Sequence, residues 1–153
     1  MEHLYSAALL LHLLAYAAWV GGGVAQQRFM SASRRAGLEA VIRDQYERLS
    51  AALLTKLELP AALVSIVSGL VILWLRPGLL KMPGMHMKLT LVALILVLTH
   101  LEMFNARRIV RLRESGGDLG AIADRKSRHA AYGTVGGLMV LGILVIVAFV
   151  IRG

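Results

Sequence analysis

The sequence of 153 residues predicts an all-α fold, an integral membrane four-helix bundle with antiparallel spans. Three observations carry that prediction. Apolar residues make up 58% of the chain and charged ones only 17%, against about 45–50% and about 25% in an ordinary soluble domain. The mean hydropathy is +0.68. The apolar residues also fall into four runs close to the ~20 residues that a hydrocarbon core of about 30 Å requires. The length suits one domain, taken as the whole chain, 1–153.

The first span is expected over about 4–25, interrupted only by Tyr5, Ser6, His12, Tyr16 and Trp19. Met1-Glu2-His3 lacks the basic start of a secretory signal and the apolar run is too long for one, so this segment is expected to stay as a span. Leu38, Ile42, Tyr46, Leu49 and Leu53 then recur at steps of three and four, the period of a helix. A helical extension over about 38–52 therefore leads into a second span over about 53–75, through Pro60, until Arg76-Pro77-Gly78 stops it. The third span covers about 85–106. Arg107, Arg108, Arg111 and Arg113 carry it on as a helix over about 107–114, broken by Gly116-Gly117. The fourth, about 130–151, contains no charge.

Lys and Arg number six between spans one and two and seven between spans three and four. The remaining loop holds three and the C-terminus one. The positive-inside rule then places both termini on the outer, periplasmic side of what fits a bacterial inner membrane. The net charge of +8 is assigned to topology and anionic lipid headgroups, and no nucleic acid is expected. With no cysteine, disulfides, thiolate metal sites, iron–sulfur clusters, covalent c-type haem and a cysteine nucleophile are excluded. No phosphate-binding loop, zinc-protease helix or nucleophile elbow occurs.

Ionisable residues at membrane depth are expensive and so are candidates for function. His12 shares a helix face with Tyr5 and Trp19, each seven residues away. Its imidazole suits haem ligation, metal binding or proton relay; the alternative is a histidine hydrogen-bonded between packed helices. His86 and Lys88 stand where the third span begins. Two residues apart, they are about 200° apart around a helix and do not both point at one ligand. Lys88 alternatively snorkels outward as an interfacial anchor. His100 lies fourteen residues past His86 on nearly the same face, near Glu102 and Asn105. Glu102 and its counterpart Glu58 are expected to pair with nearby arginines, with a proton path as the sharper alternative. Met82, Met85, His86 and Met87 bring soft ligands close together, the kind that select Cu(I). Gly133-x-x-x-Gly137 permits close helix approach, within the bundle or in a homo-oligomer, and Gly21-Gly22-Gly23 is read likewise.

His12-Leu-Leu-Ala-Tyr-Ala-Ala-Trp19-Val-Gly, with Arg28 nine residues after the tryptophan, resembles the first span of the HemJ-type protoporphyrinogen IX oxidases. Gln45-Tyr46-Glu47, the helix into Pro60, and Gly69 resemble that family's second helix. His86-Met-Lys88-Leu-Thr-Leu-Val-Ala-Leu, with His100 twelve residues after Lys88, resembles its third. The likeness covers about 9–108. It implies a small helical membrane protein that binds haem b and oxidises protoporphyrinogen to protoporphyrin, with electrons passed to a membrane acceptor such as quinone. By this resemblance His12, His86 and Lys88 become candidates for haem contact or catalysis, with Trp19, Arg28 and His100 in support. Arg28, Arg107 and Arg108 become candidates for binding the porphyrinogen propionates, since guanidinium matches carboxylate in a bidentate way. Two positions depart from the pattern: Gly84 stands where the family usually has a tryptophan, and Ala32 where it has a histidine. They make a relative that keeps bundle and haem with a different reaction the alternative to that oxidation. The methionine segment is also similar to copper-resistance membrane proteins of the CopD type, which makes copper handling the competing expectation. A non-catalytic haem-binding or structural membrane subunit is the third.

Overall fold

Helix α1 runs from Glu2 to Ala32 in this computed structural model, which describes residues 1–150. It passes the expected end of the first span and carries Gln26 and Gln27 inside the helix. Ile151, the expected end of the fourth span, and Arg152, the C-terminal basic residue, lie outside the described residues. Helix α2 (Ala40–Leu53) and α3 (Leu59–Leu75) form one continuous helix, joined by a π turn over Leu54–Glu58. Proline lacks an N–H, and its ring crowds the carbonyl four residues back. A wider turn just before Pro60 takes that helix past it. The helix stops at Leu75 because Arg76, which precedes Pro77, leaves the α region (φ −132°, ψ 67°).

Helix α4 (Pro83–Glu114) begins with proline in the first turn, where its missing N–H costs nothing. It ends at Gly116, whose φ of 65° is a left-handed terminator that a side chain would resist. Asp118 then caps α5 (Leu119–Val145), its carboxylate accepting from the Gly120 and Ala121 N–H groups at 3.0 and 3.1 Å. Thus α5 starts well before residue 130, and Arg125, Lys126 and Arg128 lie on a helix rather than in a loop. The four helices long and apolar enough to cross a membrane are Glu2–Ala32, Ala40–Leu75, Pro83–Glu114 and Leu119–Phe149. The described residues contain no strand, and the all-α four-helix membrane bundle expected from sequence is the architecture found.

Helix α1 packs chiefly on α3, and α4 on α5, while α2 bridges α1 and α4 at the basic end. The consecutive helices α3 and α4 scarcely touch along their spans. Large apolar side chains such as Leu14, Val67, Trp74, Val97 and Leu138 are exposed on the outer faces, where lipid would meet them. Inside, two apolar layers recur: Trp19, Ala62, Ile95 and Ile143 near the middle, and Met30, Leu54, Met103, Ala106, Ile109 and Ile122 towards the basic end. Small residues line the contact between α1 and α3, including Ala8, Ala15 and Gly22, which lets the helices approach closely.

Candidate functional site

The interior is striped at seven-residue steps. On α1 the stripe is His12, Trp19, Gln26 and, just past the helix end, Ser33; on α4 it is Lys88, Ile95, Glu102, Ile109; on α5 it is Ile122, His129, Gly136, Ile143. Residues seven apart share a helix face, so the stripes stack into alternating polar and apolar layers.

The polar layer nearest the N-terminus of α1 holds His12. Its Nδ1 donates to the Ser65 carbonyl oxygen on α3 at 2.7 Å, with the Ser65 and Ser68 hydroxyls each at 3.4 Å. Its Nε2 has no hydrogen-bond partner among the described residues. Gly69 makes room for the ring: a Cβ there would stand 3.2 Å from Cε1. Lys88 on α4 is half-buried and close enough for its charge to act on the imidazole. His86 is exposed, on the far side of its helix from Lys88, as their spacing requires. Beyond this layer, Tyr5 lies under the Arg76 guanidinium at 5.0 Å, tying α1 to the end of α3.

Trp19 is 4% exposed and meets Tyr16 edge-on at a centroid distance of 6.2 Å. Its indole is also within hydrogen-bonding reach of Glu58. That carboxylate enters the interior from the π turn and lies against Gly23 of α1, where an added Cβ would stand in ordinary contact with it at 3.6 Å. Glu102 on α4 accepts from Gln27 Nε2 at 2.7 Å and from Gln26 Nε2 at 3.4 Å. Gln26 is fully buried, and its Oε1 accepts from His129 Nε2 at 2.8 Å and from the Ser50 hydroxyl at 3.0 Å. One glutamine thus links four helices. A cavity of about 710 Å³ opens beside this layer between α1, α4 and α5.

At the basic end Glu47, fully buried, takes a two-pronged bond from Arg113 at 2.8 and 3.2 Å and an ion pair from Lys126. Lys126 Nζ also donates to the Ser33 carbonyl at the end of α1, at 3.2 Å. Glu47, Arg113, Lys126 and Ser33 therefore fasten α2, α4, α5 and α1 together.

Comparison of the chain with protein-family models, with curated proteins and with solved structures finds no match. The placement of the candidate residues then rests on geometry alone. Lys88 on α4 is near enough to His12 on α1 for its charge to act on the ring, and Trp19 sits one layer deeper. His100 is half-buried and bonds back to the Leu96 carbonyl of its own helix at 2.8 Å. Arg28, Arg107 and Arg108 are exposed at the basic end. Met85 is 6% exposed while Met82 and Met87 are 36% and 56% exposed, so the soft side chains do not converge. Of the two departures from the family pattern, Gly84 is buried and Ala32 half-buried.

Two readings of individual residues need correction. Among the described residues Glu58 and Glu102 form no ion pair with arginine; amides and an indole lie beside them instead, while Arg113 goes to Glu47, Arg48 to Asp44 and Glu114, and Arg107 and Arg108 are exposed. The Gly133-x-x-x-Gly137 motif does not bring helix backbones together within the chain. Nothing lies within 4 Å of a Cβ built at Gly136 or Gly137, whereas one at Gly133 would overlap the Gln27 amide. The glycines form a cavity wall over which Gln27 reaches Glu102 and, at 3.3 Å, the His129 carbonyl. Gly133→Ala is therefore expected to swing Gln27 aside and cost about 1–3 kcal/mol, the range for a buried group losing its partner. Thermal unfolding in detergent measures this, and Gly137→Ala should be close to neutral.

Proposed function

We propose that the chain is a haem b-binding oxidoreductase of a bacterial inner membrane, with both termini outside, and that its reaction is the HemJ-like oxidation of a porphyrinogen. The state of His12 supports this reading most. Its Nδ1 is committed to a backbone carbonyl, which fixes the ring's orientation and the tautomer that leaves Nε2 as the lone-pair nitrogen. That is the second-nitrogen bond typical of metal-bound histidine. The donor set suits a b-type haem held through His12 Nε2.

When bound, the haem supplies one-electron chemistry between substrate and a membrane acceptor such as quinone. Lys88 supplies a positive charge beside the imidazole, and His86 stands exposed at the start of the same helix. Trp19 closes the layer below and keeps water from it. Arg28 lies sixteen residues past His12, about 24 Å along the axis at about 1.5 Å per residue. It and Arg107 and Arg108 are therefore assigned to propionates of the substrate, from the side of the basic loops.

The absorption spectrum of the detergent-purified protein, oxidised and then reduced with dithionite, tests this. A Soret band that shifts on reduction, with b-type α and β bands, is expected, and His12→Ala should abolish it while the Met82, Met85 and Met87 variants leave it intact. Absence of the band even after reconstitution with haemin overturns the proposal.

A further inference from the structure

The proposed reaction does not use Glu58, and of the cavity that Glu58 lines it uses only Trp19 and Arg28 at the edges. The volume of about 710 Å³ falls in the range of pockets that hold drug-sized molecules, about 300–1,000 Å³. Trp19, Gly23 and Glu58 line one side, Thr99, Glu102 and Tyr132 the other. Val24, Leu138 and Leu141 also border it and are 57%, 64% and 58% exposed. They belong to the outward apolar faces of α1 and α5, so the mouth opens towards lipid rather than water.

The two carboxyl groups inside have no basic partner among the described residues. Glu58 is 4% exposed and its Oε2 has no hydrogen-bond partner. Glu102 stands close enough to feel its charge, and among the described residues no lysine, arginine or histidine pairs with either. Arg28 borders the basic end of the cavity without reaching them. Glu102 is occupied by two glutamine amides, so the unmet demand is at Glu58. An isolated carboxylate in an apolar cavity is costly, and it either takes up a proton or is joined by a counter-charge. No cluster of three histidine or carboxylate ligands exists among the described residues, which disfavours a metal ion. A positive charge on an apolar body meets the demand, and the Trp19 and Tyr132 rings can add cation–π attraction.

We propose that the cavity between α1, α4 and α5 binds a lipophilic organic monocation that enters from the lipid, with Glu58 as its counter-ion. The glycine wall of α5 gives that ligand a flat surface. The site shares Trp19 and Arg28 with the haem reading but does not depend on it, since Glu58 has no part in that reaction.

Trp74→Phe leaves Trp19, beside the cavity, as the one tryptophan. In that background, in lipid nanodiscs, tetraphenylphosphonium is expected to quench the remaining fluorescence saturably at one per chain. Glu58→Gln should weaken binding at least tenfold and Glu58→Asp should largely retain it. The neutral triphenylphosphine oxide should bind at least tenfold more weakly than the cation. Gly137→Leu, which adds bulk to the wall and leaves the carboxylate alone, should also weaken binding, and it decides the matter if Glu58→Gln does not fold. No saturable quenching, equal affinity for the neutral compound, or unchanged binding in Glu58→Gln or Gly137→Leu overturns the proposal.

Discussion

Glu47→Ala is expected to destabilise the bundle by about 3–5 kcal/mol, the cost of removing one partner from a buried ion pair. Glu47 is fully buried and Lys126 is 5% exposed, so neither can exchange its partner for water. Without the carboxylate, the Lys126 ammonium keeps only the Ser33 carbonyl, and Arg113, partly exposed, turns to solvent. The loss is felt at the junction of α1, α2, α4 and α5, which makes it global rather than local. Unfolding followed by far-ultraviolet circular dichroism in detergent measures it. Glu47→Leu combined with Lys126→Met should cost less than the two single changes together, because the two residues share one interaction. A Glu47→Ala protein within about 1 kcal/mol of the parent would mean that water reaches this layer.

Gln26→Leu should cost about 3 kcal/mol, at about 1–3 kcal/mol for each buried group left without its partner. The substitution keeps most of the volume and removes every hydrogen bond of the amide. His129 Nε2 loses its acceptor, the Ser50 hydroxyl must turn back to its own helix, and Glu102 keeps Gln27 alone. Gln27→Leu should be milder, since Gln27 is only half-buried and its loss leaves Glu102 bonded to Gln26. The same unfolding measurement ranks the two, and an equal cost for both would show that Gln26 does not act as the hub.

Much of the architecture was legible in the residues. Long apolar runs bounded by Arg76-Pro77-Gly78 and Gly116-Gly117 mark helix ends through backbone chemistry that tertiary contacts do not override. The seven-residue step from Tyr5 to His12 to Trp19 was visible too. Continued, it leads to Gln26 and Ser33, both buried, but an expected span end at residue 25 cut it short. Hydropathy ends a span at the first polar residues, whereas a helix ends where its backbone bonds end. The same effect hid His129 and Lys126: Asp118 is a strong cap, yet the apolar stretch after it, 119–123, is cut short by Asp124-Arg125-Lys126. The partners of Glu58 and Glu102 were not legible, because Arg113 is drawn to Glu47 on another helix and Arg107 and Arg108 are exposed.

The π turn before Pro60 also sets the aim of the long helix. Glu47 and Ser65 are eighteen residues apart, about five turns of 3.6, so in an uninterrupted α-helix both would point the same way. They point to different neighbours, Glu47 to α4 and α5, Ser65 to His12 on α1. One extra residue in the turn swings everything beyond it by about 100° about the axis. A single-residue insertion or deletion between 54 and 58 would therefore re-aim a whole span, and the bearing of His12's partner is set there, far along the chain from the histidine.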